Sequence, residues 1–168
     1  MKINWIEDFK DCLPTKQEVD ELETRWGVVL PKLYKSHLLN YAGCRPDRNL
    51  LHFKKDSNSR TKYFHFANLC HLNDARDFLL FTSSVQFRRN MYNDEIDRFD
   101  DPNIEDIPIW PICTNARRGG FFFDYRESKS NPRIGYFGND DFFLDPDDTI
   151  IFPSGFSYED LLDELVED

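Results

Sequence analysis

Between residues 15 and 43 the apolar positions recur at helical spacing. Thr15-Lys16-Gln17-Glu18 is a capping box, in which hydroxyl and carboxylate each satisfy an orphan amide of the first turn. Val19, Leu22 and Trp26 follow on one face, and Gly27 stops that helix. Pro31 fits the first position of a second helix, where its missing N–H is not needed. Leu33, Tyr34, His37, Leu38 and Tyr41 carry the stripe on to Gly43, a natural carboxy-terminal stop. The link over residues 27–30 is short, so the two helices are expected to pack as a hairpin. Trp26, Leu30, Tyr34 and Leu38 should be buried on its facing sides.

Further along, the period shortens to two. Residues 60–66 set Tyr63 and His65 against Phe64 and Phe66, as a strand does. Residues 74–90 have a helical pattern weakened by Thr82-Ser83-Ser84-Val85, and residues 92–106, polar and acidic with Pro102, read as a loop. Three strand-like stretches follow, at 107–113, 120–125 and 133–137, with turns at 115–119 and 128–132, the layout of an antiparallel meander. Residues 145–148 form another acidic loop, and 149–152 are a short β-branched run. Ser157 caps a last helix with Tyr158, Leu161, Leu162 and Leu165 as its apolar stripe. No repeat, low-complexity tract or linker divides the chain. The expectation is one α+β domain over residues 1–168, an antiparallel sheet with an amino-terminal helical hairpin and a carboxy-terminal helix.

Composition supports a packed core. Of 168 residues 40% are hydrophobic, with 16 phenylalanines, which excludes a disordered chain. The net charge of −10 is unevenly placed. Residues 1–90 hold 15 Lys/Arg and 11 Asp/Glu, a net of +4, whereas residues 91–168 hold 6 and 20, a net of −14. After Arg133 no basic residue follows, while eleven acids do. Such a half repels phosphate backbones and steers basic partners, so nucleic acid is not an expected ligand. The longest apolar runs, 78–81 and 121–123, are far short of a membrane span. The opening MKINWIEDFKD lacks the apolar stretch of a secretory signal, so a cytoplasmic protein is expected.

Signatures of catalysis are mostly absent: no G-x-S-x-G elbow, no P-loop, no H-E-x-x-H. Gly119-Gly120 lacks the third glycine of a dinucleotide loop and reads as a turn, with Arg117 and Arg118 beside it as solvated cations. Cys12, Cys44, Cys70 and Cys113 contain no CxxC pair and read as reduced, partly buried thiols. His65, Cys70 and His71, with His52 and Cys44 further back, lack the paired spacing of a zinc site, so packing roles are favoured. The Asp-rich stretches lack the order of a calcium loop and its closing Glu. No metal or cofactor is expected. Asp124, after three phenylalanines on a strand, is a lone carboxylate candidate with no second acid or histidine placed beside it.

These residues carry a resemblance. The segment EVDELETRWGVVLPKLYKSHLLNYAG, with Trp26-Gly27, Leu30-Pro31, Tyr34 and Gly43, resembles the opening of the SUKH superfamily, the cell-wall-regulator-like family of Smi and Knr type. IPIWPI is similar to that family's Ile-Pro strand, GGFFFDYR to its Gly-rich turn and strand ending in Asp, and GFSYEDLLDEL to its closing helix. The resemblance covers residues 15–166, more loosely over 45–106. The chain departs from the pattern at Cys44, where a second small residue is common, and in a long acidic stretch before Ile107. The recurrent positions Trp26, Leu30, Pro31, Tyr34, Gly43, Pro108 and Phe156 look structural.

What the resemblance implies is a binding protein, not an enzyme. Many bacterial members resemble immunity proteins that neutralise a polymorphic or contact-dependent toxin domain; eukaryotic relatives act as regulatory interaction scaffolds. The competing class is a hydrolase using the Asp-rich loops with a divalent metal. Nuclease toxins carry basic faces that hold phosphates, and an acidic half matches them. The expected partner surface is therefore Asp94, Glu95, Asp97, Asp100, Asp101, Glu105 and Asp106, extended by Asp140, Asp141, Asp145, Asp147 and Asp148. Tyr92 and Phe142, with Phe99 and Phe143, would supply apolar anchors. The competing reading of these loops is a solvated face.

Overall fold

A computed structural model of the chain describes residues 3–6, 13–54, 61–70, 109–113, 120–137 and 149–167. Helix α1 (Lys16–Trp26) starts at the capping box: Glu18 N–H donates to Thr15 Oγ1 (3.2 Å) and Thr15 N–H to Glu18 Oε2 (2.8 Å). It ends at Gly27, whose φ of 60° is the left-handed conformation that glycine adopts without a Cβ penalty. Helix α2 (Lys32–Tyr41) begins one residue later than expected, with Pro31 as its N-cap. An ion-pair clasp joins the two. Glu23 accepts from Leu30 N–H (2.6 Å) and from Lys35 Nζ (2.6 Å), and Lys35 also reaches Asp20 (3.0 Å). The apolar side of α2 meets the closing helix α3 (Tyr158–Glu164), with Tyr34 and Tyr158 edge to face at 5.4 Å.

The remaining elements are antiparallel strands. β1 (Trp5–Ile6) pairs with β2 (Arg45–Pro46). β3 (Leu50–Phe53) lies between β4 (Lys62–His65) and the terminal β9 (Leu165–Val166). The expected meander is present as a four-stranded sheet, β5 (Ile109–Pro111), β6 (Gly120–Asp124), β7 (Arg133–Phe137) and β8 (Thr149–Ile151), in chain order. The single sheet expected from the sequence is thus divided into three among the described residues. A Leu69–Cys113 bridge and Cys70 N–H donating to Ile112 O (3.0 Å) connect the segment after β4 to the end of β5.

The core lies between the helices and the sheets. One face of the meander (Trp110, Phe121, Phe123, Ile134, Tyr136) packs on Tyr34, Leu38, Phe66, Phe152, Tyr158 and Leu161. Leu30, Tyr34 and Leu38 are buried as expected. Trp26 departs from expectation: it is half-buried, as the last residue of α1 before the chain turns away at Gly27, with the Arg25 guanidinium 5.9 Å over its ring. All five residues of β6 are buried, which is why its run of phenylalanines does not alternate with polar residues.

On the sheet's other face Phe122 sits directly over its cross-strand partner Gly135. A Cβ at Gly135 would stand 2.2 Å from Phe122 Cζ, and that ring is fully buried. Gly135→Ala is expected to cost about 1–3 kcal/mol through forced displacement of the ring. Thermal unfolding checks this; an unchanged midpoint would mean that the ring has room to yield.

Candidate functional site

The acidic residues expected to meet a partner, Asp94 to Asp106 and Asp140 to Asp148 with Tyr92, Phe142, Phe99 and Phe143, lie outside the described residues. The structure does define where their segments join the sheet. Asp106 precedes Ile109 by three residues, and Ile109 pairs with Asp124, itself paired with Arg133, at one end of the meander. Asp140 follows Phe137 by three residues and Asp148 directly precedes Thr149, and Phe137 pairs with both Thr149 and Gly120 at the other end. Four residues of strand, roughly 13 Å, separate the two levels. The two acidic stretches are therefore tethered at opposite ends of one sheet.

The described surface offers a second feature. Pairing of Leu50 with His65 and Val166, and of His52 with Tyr63, puts these five side chains on the outer face of the three-stranded sheet. Tyr63 is 60% exposed and Val166 40%, and the His52 and Tyr63 rings meet edge to face at 5.0 Å. The alternation of residues 60–66 already placed Tyr63 and His65 on one side; the contribution of Val166 was not readable, because β9 is two residues long.

Buried polar groups serve the frame. Asp124, expected as a lone carboxylate, is instead held at the end of β6 by Arg126, whose Nε and Nη2 donate to its two oxygens at 2.8 and 2.7 Å. Arg126 N–H adds a third bond (3.0 Å), and Arg133 Nη2 stands 3.7 Å away while also pairing with Glu127 (3.0 Å). Tyr34 Oη accepts from Trp110 Nε1 (3.1 Å) and donates to Pro111 O (3.1 Å), tying α2 to β5. Tyr125 Oη donates to Val29 O (3.1 Å) and Val29 N–H to Lys129 O (2.8 Å), tying the α1–α2 link to the β6–β7 turn.

The electrostatics of these groups suit structure more than catalysis. Burial pushes the Tyr34 and Tyr158 hydroxyls well above their ordinary range and raises Tyr136 and the Cys113 thiol each to about 12, so all four stay protonated near neutrality. Cys44, Cys70 and Cys113 are buried thiols that form no disulfide among the described residues. His65 is half-buried and His52 exposed, while Cys12, His71, Arg117 and Arg118 lie outside the described residues. Among the described residues no three His, Cys, Asp or Glu side chains gather as metal ligands, and no helix is long and apolar enough to cross a membrane.

No curated protein and no solved structure matches the chain. The family model described as the SMI1 / KNR4 family (SUKH-1) matches residues 13–163. That range runs from the residues preceding the α1 capping box through α2, the meander and most of α3, the elements whose caps, clasp and buried tyrosine bonds are described above. The chain belongs to the SMI1 / KNR4 family (SUKH-1).

Proposed function

We propose that this protein is an immunity protein, binding and neutralising a cognate toxin domain of nuclease type through its acidic half. The observation that carries the reading is the charge division of a family member: −14 over residues 91–168 against +4 before them. Twelve of the acids fall in residues 94–106, between β4 and β5 in the chain, and in residues 140–148, between β7 and β8. Like charges crowded between strands repel one another, and a basic partner relieves that repulsion while being steered toward it. Buried hydrogen-bonded tyrosines and a neutralised Asp124 fit a rigid binding scaffold better than a reaction centre.

The test is a charge-reversal series, Asp97→Lys, Asp101→Lys, Asp141→Lys and Asp147→Lys, with the product of the gene immediately upstream as the probe. Combined, the four changes are expected to lower the association rate about 10- to 100-fold at low salt and to flatten its salt dependence. Unchanged kinetics in every variant would move the interface to the outer face of the three-stranded sheet, around Tyr63.

A further inference from the structure

We propose that the amino-terminal segment over residues 3–6 is a proton-gated strap, which protonation of His37 releases from α2, uncovering Tyr41 and Phe66. The strap is held chiefly by one side chain. Trp5 stacks on Tyr41 (5.4 Å, 11°) and meets His37 (5.0 Å) and Phe66 (6.3 Å) edge to face. Asn4 adds a polar latch, its Nδ2 donating to Asp47 Oδ2 (2.8 Å) and its carbonyl accepting from Asp47 N–H (2.9 Å).

His37 is part-buried among three rings: Trp5 from β1, Tyr41 from its own helix and Tyr158 from α3. Its Nδ1 lies 3.2 Å from Tyr158 Oη, a bond that either neutral tautomer makes. Protonation changes both partners. Where the neutral ring accepts the Tyr158 hydroxyl hydrogen at Nδ1, the imidazolium donates there instead, so the hydroxyl hydrogen of the fully buried Tyr158 loses its acceptor. Among the described residues the ionisable groups facing the ring are the Tyr41 and Tyr158 hydroxyls, and no carboxylate touches it. Glu159, beside Tyr158 on α3, bears on the Tyr158 hydroxyl, whereas burial is the one cause that depresses His37 below its ordinary 6.5. Asp47, the other titrating group at the strap, is held below 3.8 by Asn4 and stays charged throughout the relevant range.

Water regains the ring most easily by displacing Trp5. β1 and β2 are two residues each and Trp5 is half-buried, while Tyr158 and Tyr34 are fixed in the core. The sign follows from linkage. The open state binds a proton with the ordinary histidine pKa and the closed state only at lower pH, so closure is favoured above about 6.5 and weakens as pH falls. Between pH 7.5 and 5.5 one proton raises the open-to-closed ratio by up to about tenfold.

Hydrogen exchange of the Asp47 amide reads closure, with the Phe152 amide (donating to Ile134 O, 2.8 Å) as core reference. After correction for intrinsic exchange, Asp47 protection is expected to fall up to about tenfold from pH 7.5 to 5.5. Phe152 protection should hold steady, and His37→Phe should abolish the fall. The proposal is overturned if Asp47 protection is constant, if it rises through a cation–π gain at Trp5, if Phe152 falls in parallel, or if His37→Phe titrates like the parent. The titration of the His37 ring protons by NMR, which needs no variant, must share the midpoint of the Asp47 change; a separate midpoint equally overturns it.

Discussion

Asp124→Ala is expected to destabilise the protein by about 3 kcal/mol, the lower end of the range for breaking a buried pair. The carboxylate has only 1% of its side chain exposed, whereas Arg126 and Arg133 keep 23% and 30% of theirs in water. Removing the acid takes from Arg126 its two-point carboxylate partner at the end of β6, whereas Arg133 keeps Glu127, and exposure softens the penalty. Asp124→Asn keeps one acceptor for Arg126 N–H and Nε and should cost clearly less. Arg126→Met in the Asp124→Ala background should recover stability, because the guanidinium that lost its two-point carboxylate partner goes with it. Urea unfolding measures all three, as a shift in midpoint at constant slope. An Asp124→Ala protein as stable as the parent would show that water, not Arg126, balances this carboxylate.

Tyr34 is the other position where a single change should be severe. Its hydroxyl joins residues more than seventy positions apart in sequence, accepting from Trp110 and donating to Pro111. Tyr34→Phe keeps the ring contacts with Phe123 (4.9 Å) and Tyr158 but leaves the buried Trp110 N–H without its acceptor, about 1–3 kcal/mol. Tyr34→Ala adds a core cavity and should cost about 3–5 kcal/mol. The Trp110 indole proton should shift by NMR in Tyr34→Phe; an unmoved resonance would mean that the bond contributes nothing. Burial raises the Tyr34 and Tyr158 hydroxyls above the unfolded value near 10, so the folded state holds these protons longer than the unfolded chain does. That stability is complete below pH 10 and is lost as pH rises above it, so alkaline unfolding should begin there.

The helices were legible because their boundaries are chemical. Thr15 with Glu18, Gly27 and Ser157 each stop or start a helix through one side chain or one missing Cβ, and all three appear in those roles. The meander was legible from turn residues between apolar runs. The short strands β1, β2 and β9 were not, since two residues carry no period, and Leu50–Phe53 hid because three of its four residues are apolar. Asp124 shows a different limit. Its Arg126 partner is two residues away, but Arg133 arrives only through the register of β6 on β7, which no single stretch encodes. The His37–Tyr158 bond likewise spans 121 residues. The acidic stretches were legible only as a charge count, because sequence gives their sign and not their position.

The most direct measurement of the proposed function is co-expression with the product of the gene immediately upstream, followed by purification at low and at high salt and by survival of the producing cells. If this protein neutralises a basic toxin domain, cells carrying both genes survive and those carrying the upstream gene alone do not. The two products then co-purify as a complex whose formation slows as salt rises. Equal survival with and without this chain, together with no complex at low salt, would contradict it.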